Sequence, residues 1–172
     1  VFAYASGMIG GEYKGVVHIM INDQFLPDTT LPLGLSVFGT PQIAVNPLTL
    51  TFDTLLVGAS QTLPVTVSNT GSFPLNVTNV TTSNADFSAV PLTLTVEVGE
   101  ADTIDVTFNQ SIAQLYTETM RIFSDDPVIP VTTVNLVGLA NNAPIVGVTP
   151  DTFDVTLTPD SSTTRILTIS NT

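Results

Sequence analysis

The sequence predicts an all-β protein made of tandem β-sandwiches of about 100 residues each. Three observations support this prediction. Short apolar segments alternate with a period of two, and clusters of Gly, Pro, Asn and Asp separate them. Residues 18–27 (HIMINDQFLP) return, altered, as residues 121–130 (RIFSDDPVIP), 103 positions later. No stretch carries apolar residues at helical spacing behind a capping box, so we expect little helix.

The full repeat runs from residue 41 to residue 140 and is predicted to be one complete sandwich. Its apolar alternation is clearest in the segments 63–67, 104–108 and 116–122. Turn signals lie between the alternating segments, in the order NTGSFP, TSNAD, VGEAD and SDDP. The acids of SDDP end a strand and its proline cannot donate to a ladder, so this stretch is predicted to be the corner between the last two strands.

Residues 1–40 align with the end of this repeat and are predicted to be the C-terminal strands of a preceding sandwich. The aligned pairs are Tyr13 and Tyr116, Ile19 and Ile122, Asp23 and Asp126, Pro27 and Pro130 and, after a short insertion, Gly39 and Gly138. The chain opens in mid-strand without a Met, so we do not expect residue 1 to be the start of the gene.

Residues 141–172 align with the beginning of the repeat and are predicted to be the N-terminal strands of a following sandwich. Val148 aligns with Val45 and Pro150 with Pro47, and TISNT aligns with TVSNT at an offset of 102. Both partial copies therefore give nearly the same period, which chance rarely produces.

The composition excludes several classes of partner. The net charge is −12, and the three basic residues are Lys14, Arg121 and Arg165. They cannot form the basic patch that nucleic acid or an anionic membrane surface requires. Pro, Gly or polar residues interrupt every apolar stretch well before the roughly 20 residues of a membrane span. An acidic surface with few lysines favours a location outside the cell or on its surface.

The residues for familiar catalysis are missing, and we predict that the protein is not an enzyme and needs no cofactor. Zinc sites and His-based triads are excluded by the single histidine, His18, and the absence of cysteine. Alternation places His18 on the solvent side of its strand. Glu97 and Glu100 lie in a turn and Glu118 lies in a strand, so no two carboxylates are placed as a glycosidase pair.

Two kinds of site remain as candidates. Asp125 and Asp126, near the repeat boundary ANNAP (140–144), could supply hard oxygen ligands to calcium, although no DxDxDG loop is present and acids are common in turns. Asn76, Asn79 and Asn109 begin N-glycosylation sequons. A chain rich in Thr and Asn also produces such triplets by accident.

The repeat resembles a known family. NPLTLTFDTLLVGASQTLPVTVSNTGSFPLNVT, followed by YTETMRIFSDDPVIPVTTVNLVG, is similar to the immunoglobulin-like repeats of the ASH (ASPM/SPD-2/Hydin) type. It also resembles bacterial choice-of-anchor D repeats and the modules behind secreted subtilisin-like proteases. The resemblance implies an immunoglobulin-like sandwich that serves as a stalk, adhesive array or binding scaffold. INDQF departs from the pattern, because it has Gln where Pro is usual.

The predicted function is that of a structural or adhesive repeat in a long exported surface protein or an extracellular filament. Its predicted partners are neighbouring repeats, or copies of itself that bind through edge strands. Two alternatives stay open. The chain could be the accessory region of a secreted protease, or a scaffold module of an intracellular ASH-type complex, although the latter predicts neighbours rich in lysine and containing cysteine.

Overall fold

The computed structural model describes residues 4–25 and 28–171, and all of the regular structure in them is β-strand. The strands are β1 (Gly11–Met20), β2 (Asp28–Val37), β3 (Ile43–Asn46), β4 (Thr49–Leu56), β5 (Ser60–Asn69), β6 (Leu75–Thr82), β7 (Phe87–Val90), β8 (Leu94–Val96), β9 (Ala101–Asn109), β10 (Leu115–Ser124), β11 (Val131–Asn141), β12 (Val146–Thr149) and β13 (Thr168–Asn171). Among these residues no helix has the length and hydropathy needed to cross a membrane. The all-β prediction is confirmed.

Strands β3 to β11 form one sandwich of two sheets. One sheet has the strand order β3-β5-β9-β7, and the other has the order β4-β11-β10-β6-β8. Neighbouring strands are antiparallel except β4 and β11, which are parallel. Every other residue of the long strands points into the space between the sheets, as the period of two predicted. The predicted turns NTGSFP, TSNAD, VGEAD and SDDP fall between strands.

A single hydrophobic core fills this sandwich. Its centre is aromatic: the rings of Phe87 and Phe108 stack at 4.6 Å between centroids, and Phe52 lies 5.5 Å from Phe108. The Tyr116 ring meets Phe108 edge-on at 5.2 Å. Gly138 lies against the same Phe108 ring, where a Cβ atom would come within 2.5 Å of it. The core therefore extends across both sheets.

Strands β1 and β2 form a separate two-stranded sheet, here called the front hairpin. Tyr13 lies opposite Leu35, as Tyr116 lies opposite Gly138 in the β10–β11 pair. Met20 lies opposite Asp28, as Phe123 lies opposite Val131. Every residue of the front hairpin except Gly11 thus has a counterpart in β10 or β11, 103 positions later, on both strands.

The register corrects one detail of the sequence alignment. Gly39 does not correspond to Gly138, and the hairpin contains no insertion, because Leu35 occupies the matching place. At position 138 a side chain would clash with the Phe108 ring. Gly39 instead packs against the backbone of Ser72. Pro27, which is predicted to match Pro130, lies outside the described residues. Thr172 also lies outside them.

The same tyrosine hydrogen bond occurs in both hairpins. The Tyr116 hydroxyl donates to the Ile112 carbonyl at 3.0 Å, and the Tyr13 hydroxyl donates to the Ile9 carbonyl at 2.9 Å. Both bonds reach four residues back along the chain. This arrangement is the tyrosine corner found in immunoglobulin-like sandwiches.

Strands β12 and β13 form a second isolated sheet, here called the rear pair. Val146 lies opposite Asn171, as Ile43 lies opposite Asn69 in β3–β5. The offsets are 103 on the first strand and 102 on the second, as the sequence alignment predicted. Residues 152–158, which correspond to β4, form no strand. In the sandwich β4 pairs with β11, and the rear pair has no β11 counterpart beside it among the described residues.

Three glycines form the joint between the front hairpin and the sandwich. The Gly10 amide donates to the Ser72 carbonyl at 2.6 Å, and a Cβ atom on Gly10 would come within 2.7 Å of the Phe73 ring. Cβ atoms on Gly39 and Gly71 would clash with the carbonyl oxygens of Ser72 and Thr40. The two backbones approach this closely only because all three positions lack a side chain.

Candidate functional site

The corner between β10 and β11 holds both predicted calcium ligands. Asp126 is buried, and one of its carboxylate oxygens accepts hydrogen bonds from the amides of Val128 at 2.7 Å and Ile129 at 3.0 Å. The other oxygen accepts from the amide of Ile43, at 2.8 Å, on the first strand of the opposite sheet. Asp126 therefore ties the last corner of the sandwich to its first strand.

The electrostatics of Asp126 follow from these contacts. Burial by itself raises the pKa of the Asp126 carboxyl, because it disfavours the charged form. The hydrogen bonds from the Ile129, Ile43 and Val128 amides favour the carboxylate and act in the opposite direction. Their combined effect is larger, so the pKa lies below its ordinary value. The residue is held as a carboxylate that accepts backbone hydrogen bonds.

Asp125 points the other way and binds the neighbouring strand β6. Its two oxygens accept from the backbone amide of Asn76 at 2.9 Å and from the side-chain amide of the same residue at 2.8 Å. The Asn76 side-chain oxygen accepts from Thr95 at 2.8 Å. The hydrogen bonds from Thr95 to Asn76 and from Asn76 to Asp125 therefore join β8, β6 and the β10–β11 corner at the surface.

The two aspartates thus have separate tasks within the fold. All four carboxylate oxygens accept hydrogen bonds from protein groups, and the two side chains bind different elements. Across residues 4–25 and 28–171, no group of three or more His, Cys, Asp or Glu side chains is placed to hold a metal ion. Calcium binding by Asp125 and Asp126 stays a prediction. Sequence reasoning missed the partner of Asp126, since Ile43 lies 83 positions away.

The remaining polar candidates are dispersed. His18 points to solvent, as alternation predicted, and lies 3.0 Å from an Asp28 carboxylate oxygen on the neighbouring strand. Glu118 accepts from the Ser83 hydroxyl at 2.6 Å, while Glu97 and Glu100 lie in the turn before β9. These side chains lie on different strands and turns of the described chain.

The three predicted glycosylation positions differ in accessibility. Asn79 and Asn109 are exposed at the surface of the sandwich. Asn76 is half-buried and its side-chain amide donates to Asp125, so a glycan there would have to share this nitrogen with that bond. Modification at these asparagines stays a prediction, and Asn79 and Asn109 present the more accessible side chains.

The two terminal sheets carry a different kind of candidate site, an apolar face without cover. The front face consists of the side chains on one side of the hairpin: Tyr13, Val17, Ile19, Leu31, Leu33 and Leu35. Leu33 is 40% exposed and Leu31 is 50% exposed, whereas their counterparts Leu136 and Val134 are both 0% exposed. Half-exposed leucines on one side of a two-stranded sheet form a surface suited to packing against another sheet.

The rear pair exposes a matching surface. The rear face consists of Val146, Val148, Leu167 and Ile169, which correspond to Ile43, Val45, Val65 and Val67 of the sandwich. Ile169 is 68% exposed and Val146 is 71% exposed, while Val67 is 0% exposed. These two residues, with Pro144 and Asn171, line an open depression on the rear pair.

Comparison with known proteins places the fold. The family model described as HYDIN/CFA65/VesB-like, Ig-like domain matches residues 41–138. Among curated proteins, no sequence is significantly similar to this chain. The ASH/PapD-like domain 7 of human CEP192 is 13% identical with a TM-score of 0.54, over 60% of this chain and 88% of that one.

Two further solved structures match part of this chain. A protein of unknown function from Porphyromonas gingivalis W83 is 16% identical with a TM-score of 0.52, over 77% of this chain and 67% of that one. The VesB protease of Vibrio cholerae is 16% identical with a TM-score of 0.45, over 59% of this chain and 32% of that one. At these identities the likeness concerns the fold alone.

The resemblance drawn from the sequence is therefore confirmed. The matched residues contain the sandwich except the last three residues of β11, and they include its aromatic core, its tyrosine corner and the buried Asp126. Domains of this family are typically non-catalytic modules. The chain belongs to the HYDIN/CFA65/VesB-like family of immunoglobulin-like domains.

Proposed function

We propose that this chain is a non-catalytic structural or adhesive repeat module of a long exported surface protein or extracellular filament. The observation that carries the proposal is the recurrence of strand geometry at a fixed distance. The front hairpin repeats β10–β11 in register, and the rear pair repeats β3–β5 in register. Modules that recur in this way form extended arrays, in which each unit spaces its neighbours apart.

The recurrence supports the division into a preceding repeat at 1–40, a complete sandwich at 41–140 and a following repeat at 141–172. The tyrosine bond supports it independently, because Tyr13 and Tyr116 make the same bond to a carbonyl four residues back. Asp23 adds a third correspondence: it accepts from the Phe25 amide at 2.8 Å, as Asp126 accepts from the Val128 amide at 2.7 Å.

Composition supports the extracellular setting. The chain carries 15 acidic and 3 basic residues, and contains no cysteine. A net negative charge of this size favours the solubility of a protein. Rigid sandwiches with short connections such as FGTPQ and NNAPI would hold an adhesive or catalytic partner at a distance from the cell.

The alternative is the accessory region of a secreted protease, which the presence of VesB in the family description favours. In that case the catalytic domain would lie elsewhere in the same polypeptide. A scaffold in an intracellular ASH-type complex is a further alternative, for which CEP192 supplies a likeness of fold.

The test is the denatured intact mass of the polypeptide from its natural source, combined with protease treatment of intact cells. We expect a mass many times 18.1 kDa and cleavage by protease added outside the cells. Sequencing the same polypeptide identifies any protease domain, which would favour the accessory role. A full-length polypeptide that is protected until the cells are lysed would overturn the surface location.

A further inference from the structure

The front and rear faces correspond to two surfaces that already meet inside this molecule. The counterparts of the front face lie on β10 and β11, and those of the rear face lie on β3 and β5. Both sets belong to one buried core, which includes Tyr116, Leu136, Ile43 and Val67. The sandwich thus supplies a template for how the two exposed faces would fit together.

We propose that the front face of one copy of this chain binds the rear face of a second copy. The occupant of the front face is residues 143–171 of the neighbouring molecule, packed as β3, β4 and β5 pack on β10 and β11. The inference rests on the proposed repeat function, since it takes the two terminal sheets as incomplete sandwiches. The contact is head-to-tail, so it generates an open filament when the rotation does not close a ring.

The outer edge of β2 can take part in this contact. In the sandwich β4 pairs with β11 in parallel, with Leu50 beside Leu136. The corresponding residues are Phe153 and Leu33, and residues 152–158 form no strand in the single chain. In the contact, residues 152–158 of one copy would therefore pair with β2 of the other copy, as β4 pairs with β11.

One position restricts the ladder. Pro32 corresponds to Asn135, whose amide donates to the Leu48 carbonyl at 2.9 Å in the sandwich. Proline has no N–H group, so the ladder between two copies lacks this bond. Packing of the two apolar faces, and not the ladder, must therefore provide most of the affinity.

Size and charge set the conditions for the test. Among the described residues, the combined strands of the two terminal sheets have no counterparts of β6 to β9, so the interface is small and its affinity is expected to be weak. Residues 1–40 and residues 141–172 each carry three acids and one base, counting Asp, Glu, Lys and Arg. Salt screens their repulsion, because the Debye length falls to about 8 Å at 0.15 M ionic strength. We therefore expect association to increase when salt is added.

The experiment is sedimentation equilibrium of the 172-residue chain from about 1 to 500 µM, a range that includes the weak affinities of small interfaces. The weight-average mass should rise with concentration beyond twice 18.1 kDa. Leu33→Asp removes the front face and Ile169→Asp removes the rear face, so each variant alone should remain monomeric. An equimolar mixture should form a one-to-one dimer and stop there, because each variant keeps one working face.

Matched controls lie on the opposite sides of the same strands. Thr30→Asp lies beside His18 on the outer side of the hairpin, and Thr168→Asp lies on the outer side of β13. Both should assemble like the parent chain. Circular dichroism should show the same melting of the sandwich in all four variants, because none of these residues belongs to its core. Leu33→Ala provides a milder variant, for which we expect association several-fold weaker.

The outcomes separate the two proposals. A parent chain that stays monomeric at all concentrations, or a mixture of the two variants that does not dimerise, overturns binding between copies. Either result leaves the repeat function standing, because a longer polypeptide would supply the same strands from its own sequence. The repeat function is overturned instead by a short native polypeptide whose terminal sheets show no assembly.

Discussion

The β1–β2 and β10–β11 hairpins have the same register and the same tyrosine bond, but they differ in burial. Tyr13 and Tyr116 each bond a carbonyl four residues back. Leu136 is 0% exposed beneath the opposite sheet, whereas Leu33 is 40% exposed. The hairpin geometry is therefore set by contacts within the hairpin, namely the ladder and the tyrosine corner. Burial is added by strands from elsewhere in the repeat.

This difference separates two levels of structure in one chain. A two-stranded sheet alone is marginally stable in water, and it needs a covering sheet to form a core. Three paired substitutions measure what the cover adds, because each pair makes the same change in the covered and the uncovered hairpin. They are ordered from the largest expected effect to the smallest.

The largest contrast is expected for the two leucines. Leu136→Ala should lower the free energy of unfolding of the sandwich by about 2–5 kcal/mol, because it removes buried methyl groups and leaves a cavity. Leu33→Ala should change the same quantity by less than about 0.5 kcal/mol, as for most surface substitutions. Urea unfolding followed by circular dichroism measures both. Equal losses would show that the front hairpin is part of the same cooperative unit.

The aspartates give the next contrast. Asp126→Asn should lower the free energy of unfolding by about 1–3 kcal/mol, because amides that bonded a carboxylate lose their charged acceptor. Asp23→Asn is the matched control: Asp23 is exposed, and we expect little change in the unfolding of the sandwich. Urea unfolding at pH 7 measures both differences. An Asp126→Asn chain as stable as the parent would contradict the role of this carboxylate as a tie to β3.

The Asp126 contrast should depend on pH in one direction. The pKa of the folded state lies below its ordinary value of 3.8, so the carboxylate stabilises the fold fully above that pH. The contribution is lost as the pH falls below 3.8 and through the folded-state pKa. The stability difference between parent and Asp126→Asn should therefore be constant near neutral pH and shrink in acid. A difference that does not change with pH would rule out this linkage.

The smallest contrast concerns the tyrosine corner. Tyr116→Phe removes the hydroxyl that donates to Ile112 and should cost about 1 kcal/mol, the usual net contribution of one such bond. Tyr13→Phe removes the same bond at the edge of the uncovered hairpin, and the sandwich should melt unchanged. Hydrogen exchange at β1 amides would report the local loss. If Tyr13→Phe destabilised the sandwich as much as Tyr116→Phe, the two hairpins would be energetically coupled.

Most of the fold could be predicted from the sequence because its signals are local. Alternation identified strands β5, β9 and β10, and Asn, Gly, Asp and Pro identified the turns between them. The period of 103 could be recognised because the residues of the corner SDDP have distinct structural effects. Its acids end a strand, and proline cannot donate a hydrogen bond to the ladder. The matched register of the front hairpin agrees with that period.

What escaped prediction depends on distant contacts. The acids of the corner were recognised, but the buried bond from the Ile43 amide to Asp126 joins residues 83 positions apart. The match of Gly39 with Gly138 was wrong because the two glycines leave room for different groups. The Phe108 ring lies against Gly138, and the Ser72 carbonyl lies against Gly39. Residue type alone does not distinguish these two causes.

The glycine joint has a mechanical consequence. Gly10 and Gly39 allow the front hairpin to lie directly on the backbone of the sandwich. At the other end of the sandwich, 103 positions later, the same places are occupied by Ala113 and Asn142. A side chain at these places would clash if the second connection packed as the first does, so we expect the two connections to differ. Bending stiffness would then vary from joint to joint.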